Sequence, residues 1–212
     1  MPNLPISQLP AAGSLTGAEL FAVVQDGITK NTTLSSVVYS LSSNYGLFNQ
    51  TGSSTPITNT LTEATLLDGG VGTLSVPANA FKIGDGYKLS MTGHVSSRNN
   101  NTLRIRVKTG AVVLADTGVI TMPQTTDKDF SLDINFSIYN TGSAGTARIA
   151  SGGTFLYSKD ASNAFEGSNF SIINSSSFDT TINNTLDITA QWGSADPLNI
   201  IFSEIATLNK VF

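Results

Sequence analysis

The chain has 212 residues, of which 40% are hydrophobic and 12% are charged, so it can fold around a substantial core. Its net charge of −4 argues against a function dominated by nucleic-acid binding, which needs a basic surface. The lack of cysteine excludes disulfides, thiolate metal sites and cysteine nucleophiles, and no apolar run approaches the ~20 residues of a membrane-spanning helix.

The N-terminal segment opens with an extended arm and a hairpin. Three prolines in residues 1–15 disfavour helix. No basic stretch precedes a continuous apolar run, so we expect no signal peptide and synthesis in a cytoplasm. The apolar run at 20–24, followed by Asp26-Gly27 and a threonine-rich return, predicts a β-hairpin. An isolated two-stranded hairpin is marginally stable in water, so its apolar side chains need a partner surface.

Two short stretches lie between the hairpin and the rest of the chain. Apolar residues at helical spacing predict a short helix over 34–42. Residues 42–60 are rich in Ser, Asn, Gly, Thr and Pro without a sustained period, which is typical of a linker. We therefore expect an N-terminal segment over 1–41, a linker over 42–60 and a large domain over 61–212.

From residue 61 onward, apolar and polar residues alternate. The clearest strands predicted by this alternation cover 87–95, 102–108, 130–139 and 186–192. Weaker strands and turns rich in Gly, Asn and Ser lie between them, which gives eight or more strands with almost no helix. The predicted fold class is all-β: an antiparallel β-sandwich of the jelly-roll type, preceded by the small hairpin and short helix.

One predicted strand carries three basic side chains on a single face. Arg104, Arg106 and Lys108 alternate with three apolar residues. The functional interpretation is binding of an anionic partner such as an acidic glycan, which makes these three the candidate ligand-binding residues. The alternative is a solvated face that also keeps the strand from pairing with other chains.

Other polar residues do not assemble into a recognisable active site. His94, the only histidine, has no second histidine or cysteine to complete a common metal site, so we expect a structural or exposed side chain. Asp127, Asp129 and Asp133 lie near one another in sequence but fit no glycosidase or calcium-loop pattern. We therefore predict no enzyme activity, no cofactor and no metal site.

Three aromatic residues fall in phase with the apolar faces of their strands. Trp192, the only tryptophan, alternates with Leu186 and Ile188, and Tyr87 and Phe136 continue the apolar faces of two other strands. We predict that these aromatic side chains lie in the core or at a subunit interface. A platform on which a sugar stacks is the alternative for the tryptophan.

The opening segment carries a recognisable pattern, LPISQLPAAGSLTGAELFAVVQDGITKNTTLSSV, over residues 4–37. It contains an Ile-x-x-Leu-Pro phrase, a Leu-x-Gly-x-x-Leu phrase, a valine-rich strand ending in Gln25, a turn at Gly27 and a threonine-rich return. This pattern resembles the N-terminal segment of bacteriophage tail-fibre and head-fibre proteins. The resemblance implies that the segment docks onto the virus particle. The docking residues would then be Leu20, Phe21, Val23, Val24, Gly27 and Ile28.

Residues 185–211 are similar to the last strands of phage-encoded trimeric jelly rolls of the tumour necrosis factor-like kind. The similarity rests mainly on a Trp-Gly-Ser-Ala turn before a long final strand. It implies a homotrimer in which jelly rolls pack around a threefold axis and apolar outer-face residues meet at the centre.

Together the two resemblances imply a virion protein rather than an enzyme. The expected molecule is a short trimeric spike, docked by its N-terminus on a capsid, portal or tail. Its head would either bind a host-surface glycan or protein or only stabilise the particle, without a nucleic-acid partner or membrane insertion. The alternative is a carbohydrate-binding, lectin-like module.

Overall fold

A computed structural model describes residue 18 and residues 20–33, 46–159 and 164–212. The chain divides into two compact units, Met1–Ser43 and Asn44–Phe212. The described residues contain strands and no helix, which confirms the all-β fold class. The predicted arm and the predicted helix over 34–42 lie outside the described residues. Within the described residues we find no helix with the length and apolar content that a membrane span requires.

The first unit contains the predicted hairpin. Strand β1 (Leu20–Gln25) pairs antiparallel with β2 (Ile28–Thr33), and Gln25 lies opposite Ile28. The two turn residues, Asp26 and Gly27, both have positive φ, at 55° and 75°. This conformation matches the right-handed twist of the flanking strands and explains why an Asp-Gly pair occupies the turn.

The described residues of the second unit form fourteen further strands. Their bounds are β3 (Gly46–Gln50), β4 (Ile57–Thr58), β5 (Ala64–Thr65), β6 (Gly70–Gly72), β7 (Ser75–Val76), β8 (Gly86–Ser97), β9 (Asn101–Thr109), β10 (Val112–Asp116), β11 (Ile120–Met122), β12 (Thr125–Asn140), β13 (Arg148–Ser158), β14 (Phe165–Asn174), β15 (Asn184–Trp192) and β16 (Ile200–Lys210). The four clearest strands predicted from alternation, 87–95, 102–108, 130–139 and 186–192, lie entirely within β8, β9, β12 and β15.

The strands pair in a nested order, first with last. Strand β3 pairs with β16, β5 and β7 pair with β15, β8 pairs with β12, and β9 pairs with β10. All these pairs are antiparallel. Nested antiparallel pairs that are distributed over two packed sheets are the strand arrangement of a jelly roll. The larger sheet has the order β14-β13-β12-β8-β16-β3-β6, and the smaller has the order β10-β9-β15-β5.

Residues 46–50, which the sequence placed in the linker over 42–60, form strand β3 of the larger sheet. Phe48 lies opposite Leu208 and is buried in the core, and Gln50 is buried and bonds to Ser203. The buried ring of Phe48 and the hydrogen bond from the Gln50 amide to Ser203 therefore stabilise a strand in a stretch whose composition is typical of a loop. Ile57–Thr58 likewise joins β16 as a short strand.

The core lies between the two sheets and includes the three predicted aromatic residues. Trp192 is 1% exposed, and Tyr87 and Phe136 are also buried. The indole Nε1 of Trp192 donates a hydrogen bond of 3.0 Å to the carbonyl oxygen of Ile57. The burial of Trp192 inside its own chain leaves its ring closed to a stacking sugar.

Candidate functional site

The hairpin exposes apolar side chains on both of its faces. Leu20 is 66% exposed and Val24 is 74% exposed, and Phe21 and Ile28 are exposed as well. Val23 is half-buried, and Gly27 occupies the turn. Large apolar side chains that remain in water lose the stabilisation that burial gives, about 1.5–3 kcal/mol for a valine or leucine. The six residues predicted for docking therefore lie together on one small, incompletely buried element.

The three basic residues of β9 are joined to carboxylates of the same chain. Arg104 Nε lies 2.9 Å from Asp116 Oδ1, Arg106 Nη1 lies 2.8 Å from Glu63 Oε2, and Lys108 Nζ lies 3.3 Å from Glu63 Oε1. The acidic partners come from the end of β10 and from the residue before β5. We call these five side chains the ion-pair network.

Electrostatics favour the charged forms of the two carboxylates in the ion-pair network. Burial raises the pKa of Asp116, but hydrogen bonds from Arg104 and the Gly118 N–H, with the charges of both arginines, outweigh it and leave that pKa below its ordinary value. Burial likewise raises the pKa of Glu63, and its bonds from Thr189 and Lys108 outweigh that effect and lower it. The network therefore joins β9 to β10 and to the residue before β5, and Thr189 of β15 bonds to its Glu63. The cations of the network already have anionic partners.

The outer face of the larger sheet, opposite the core, contains a groove of about 440 Å³. Residues from β8, β12, β13, β14 and β16 line it, and they mix hydroxyl, carboxylate, imidazole and apolar groups. They include Thr92, His94, Asp129, Ser131, Leu156, Ser158, Phe165 and Glu204. We call this feature the sheet-face groove.

His94 lies at one end of the sheet-face groove between carboxylates from both neighbouring strands. Its Nδ1 lies 3.2 Å from Asp127 Oδ1 and 3.7 Å from Asp129 Oδ1, and its Nε2 lies 3.5 Å from Glu204 Oε1. The Nδ1 atom is buried and makes no hydrogen bond to a described residue, so proximity alone links it to the two aspartates. The ring also stacks on Phe202, with centroids 5.3 Å apart.

Two β-bulges produce this arrangement. The pairing of β12 with β8 shifts between Thr125 and Lys128, and the pairing of β16 with β8 shifts between Ser203 and Ile205. Asp127 lies in the first bulge with a φ of 48°, and Glu204 is the extra residue of the second. Bulges bend a strand and re-aim its side chains, and here they direct carboxylates toward the two ring nitrogens of His94.

The carboxylates around His94 lie on opposite sides of the ring, so they do not converge on one point. Among the described residues there is no group of three or more His, Asp or Glu side chains that could hold a metal ion. Asp133 lies on the same strand as Asp129 but outside the groove, where it accepts a 2.6 Å hydrogen bond from Ser90. The structure thus brings Asp127 and Asp129 to His94 and leaves Asp133 apart.

No protein-family model matches the chain, and no curated protein matches it significantly. The hairpin, the jelly-roll unit and the sheet-face groove are the features of the described residues that bear on function.

Proposed function

We propose that this chain is a virion structural protein of a virus, a bacteriophage by the resemblance of its N-terminal segment. Its first 41 residues dock on the particle, and the jelly-roll unit is the head that they display. The exposed apolar hairpin carries this proposal, because a two-stranded element with apolar residues on both faces is stable only against a partner surface.

The head would act as a homotrimer, as the resemblance to trimeric jelly rolls implies. Three copies on one particle raise the effective concentration of a second and third contact with a cell surface, so weak binding by each head suffices for attachment. Light scattering during size-exclusion chromatography tests this part of the proposal. A mass three times that of the chain is expected, and a stable monomer at micromolar concentration would contradict it.

Docking is tested by complementation of a virus whose gene for this chain is disrupted. Wild-type chain or a variant is supplied in trans, and the amount of chain in purified particles is measured by immunoblot. Val24→Asp places a charge in the apolar hairpin surface and is expected to abolish incorporation. Val71→Asp is the matched control, because Val71 is a valine of nearly equal exposure, 71%, on β6 of the head.

Two results would overturn the docking proposal. One is the absence of the wild-type chain from purified particles, which would remove the virion role altogether. The other is normal incorporation of Val24→Asp, which would move the docking surface away from the hairpin. Circular dichroism of both variants establishes that the head has folded.

A carbohydrate-binding module is the second candidate function. The sheet-face groove favours it, because a concave site with apolar walls and a few convergent polar groups is the usual form of a small-ligand site. The ion-pair network does not favour it, since its cations are already joined to Asp116 and Glu63.

A further inference from the structure

We propose that the sheet-face groove binds an uncharged hexopyranose, such as the terminal sugar of a host-surface glycan. The inference rests on the proposed function of the head in attachment and names the chemical class of its ligand. It also places the ligand on the larger sheet rather than on the basic residues of β9.

The dimensions and walls of the groove suit a single sugar ring. Its volume of about 440 Å³ falls within the range of about 300–1,000 Å³ found for small-molecule sites. Phe165 and Leu156 present exposed apolar surface at one side. A pyranose has one face made mainly of C–H groups, and an aromatic ring and an aliphatic side chain are the surfaces against which such a face packs.

The polar groups of the groove match the hydroxyls of a sugar. Asp129 and Glu204 are exposed carboxylates that accept hydrogen bonds and cannot donate them when ionised. Thr92, Ser131 and Ser158 supply hydroxyls that both donate and accept. A sugar hydroxyl also donates and accepts, so it can satisfy a carboxylate and a side-chain hydroxyl at once.

The charge of the groove selects against acidic sugars. Its lining includes two carboxylates and, among the described residues, no lysine or arginine. A sugar carboxylate or sulfate placed here would face Asp129 and Glu204 and pay a Coulombic and desolvation cost. A neutral pyranose meets the same carboxylates as hydrogen-bond acceptors, so the groove favours it over the corresponding uronate.

The backbone sets the places from which the two carboxylates reach the groove. Glu204 is the extra residue of the β16 bulge, and His94 lies between Glu204 and Asp129. His94 is itself held by stacking on Phe202. The stacked ring of His94 therefore loses little conformational freedom when a ligand binds, which favours specific recognition.

The test is sugar binding by the full-length chain, measured by saturation-transfer NMR and calorimetry. The probes are glucose, galactose, mannose and N-acetylglucosamine, together with glucuronate and galacturonate as charged counterparts and glucosamine as a cationic one. At least one neutral sugar is expected to bind with millimolar affinity. The matching uronate is expected to bind about tenfold more weakly or not at all, a difference of about 1.4 kcal/mol.

Matched variants locate the binding site. Phe165→Ala and Asp129→Asn are expected to weaken sugar binding about tenfold or more. Phe212→Ala removes another exposed phenylalanine, and Asp133→Asn removes another carboxylate of the same strand face, so both should bind sugar like the wild type.

Three results would overturn the inference. They are the failure of every neutral sugar to bind, preferred binding of a uronate or of glucosamine, and unchanged binding by the two groove variants. Particle incorporation of Phe165→Ala separates this inference from the docking proposal. Normal incorporation of Phe165→Ala with lost sugar binding supports both the docking proposal and the sugar-binding inference. Normal incorporation of a wild-type chain that binds no sugar overturns only the sugar-binding inference.

Discussion

Replacing Asp116 with asparagine removes the carboxylate that two arginines share at the edge of the smaller sheet. Arg104 contacts both carboxylate oxygens of Asp116, and Arg106 Nε lies 3.7 Å from Oδ2. Asparagine has nearly the same shape and keeps one acceptor oxygen, so the variant tests charge rather than packing. Arg106 retains Glu63 as a partner, which limits the loss to part of the ion-pair network.

The expected loss of stability is about 1–2 kcal/mol. Hydrogen bonds to charged groups contribute about 1.5–3 kcal/mol each. The Asp116 side chain is only 14% exposed, but that of Arg104 is 37% exposed, so solvent screening reduces the contribution of their pair. Urea unfolding measures the loss: with a slope of about 2 kcal/mol/M, the midpoint should fall by about 0.5–1 M.

Asp133→Asn is the matched control for this measurement. Asp133 lies 3.6 Å from Lys88, and both side chains are about half exposed, so the pair is screened by water. Such exposed pairs contribute about 0–1 kcal/mol. Equal midpoints for the two asparagine variants would refute the claim that the ion-pair network is structural.

The difference in the free energy of unfolding between the wild type and Asp116→Asn should also depend on pH and become smaller in acid. The pKa of Asp116 is lower in the folded protein than its ordinary value of about 3.9, so its contribution is fully present above that value. It is lost as the pH falls through the folded pKa. The stability difference should therefore shrink below about pH 4, and a difference that stays constant or grows there would contradict the assignment.

Three further substitutions test the core, the sheet and the hairpin. Trp192→Phe should lower stability by about 1–3 kcal/mol in thermal unfolding, because the buried Ile57 carbonyl loses its donor; an unchanged midpoint would contradict that bond. Gly93→Ala would press a new Cβ against the Phe202 carbonyl oxygen and should cost about 1–3 kcal/mol or more, seen as a lower urea midpoint. Gly27→Val places a β-branched residue at a φ of 75°, so particle incorporation should fall while the unfolding midpoint of the head stays unchanged; normal incorporation would argue against a docking role for the turn.

The alternation of apolar and polar residues predicts the long strands well, because the apolar positions of such a pattern are the side chains that the core buries. Residues 130–139 and 186–192 alternate cleanly, and both lie in strands of the jelly roll. The strand over residues 46–50 is not predicted, because its apolar residues Leu47 and Phe48 lie in a polar stretch without alternation. The strand also depends on pairing with β16, where Leu208, 160 residues away in sequence, lies opposite Phe48.

The candidate sites depend on register, which composition does not contain. The basic residues of β9 look solvated in sequence because their partners, Glu63 and Asp116, lie outside β9, one just before β5 and one at the end of β10. The groove is hidden for the same reason: His94 meets Asp129 only once β8 and β12 are paired, and Glu204 reaches it only through a bulge. The alternation of residues 87–95 already places His94 on the outer face of its strand, and this is the feature of the sequence that pointed to the groove.

Electron cryomicroscopy of purified virus particles tests the docking of the hairpin most directly. The proposed function predicts density for three copies of the chain at one attachment point, with residues 20–33 against the particle and the jelly-roll heads projecting outward. Particles that lack the chain, or that hold it through the head with the hairpin free, would contradict the proposed function.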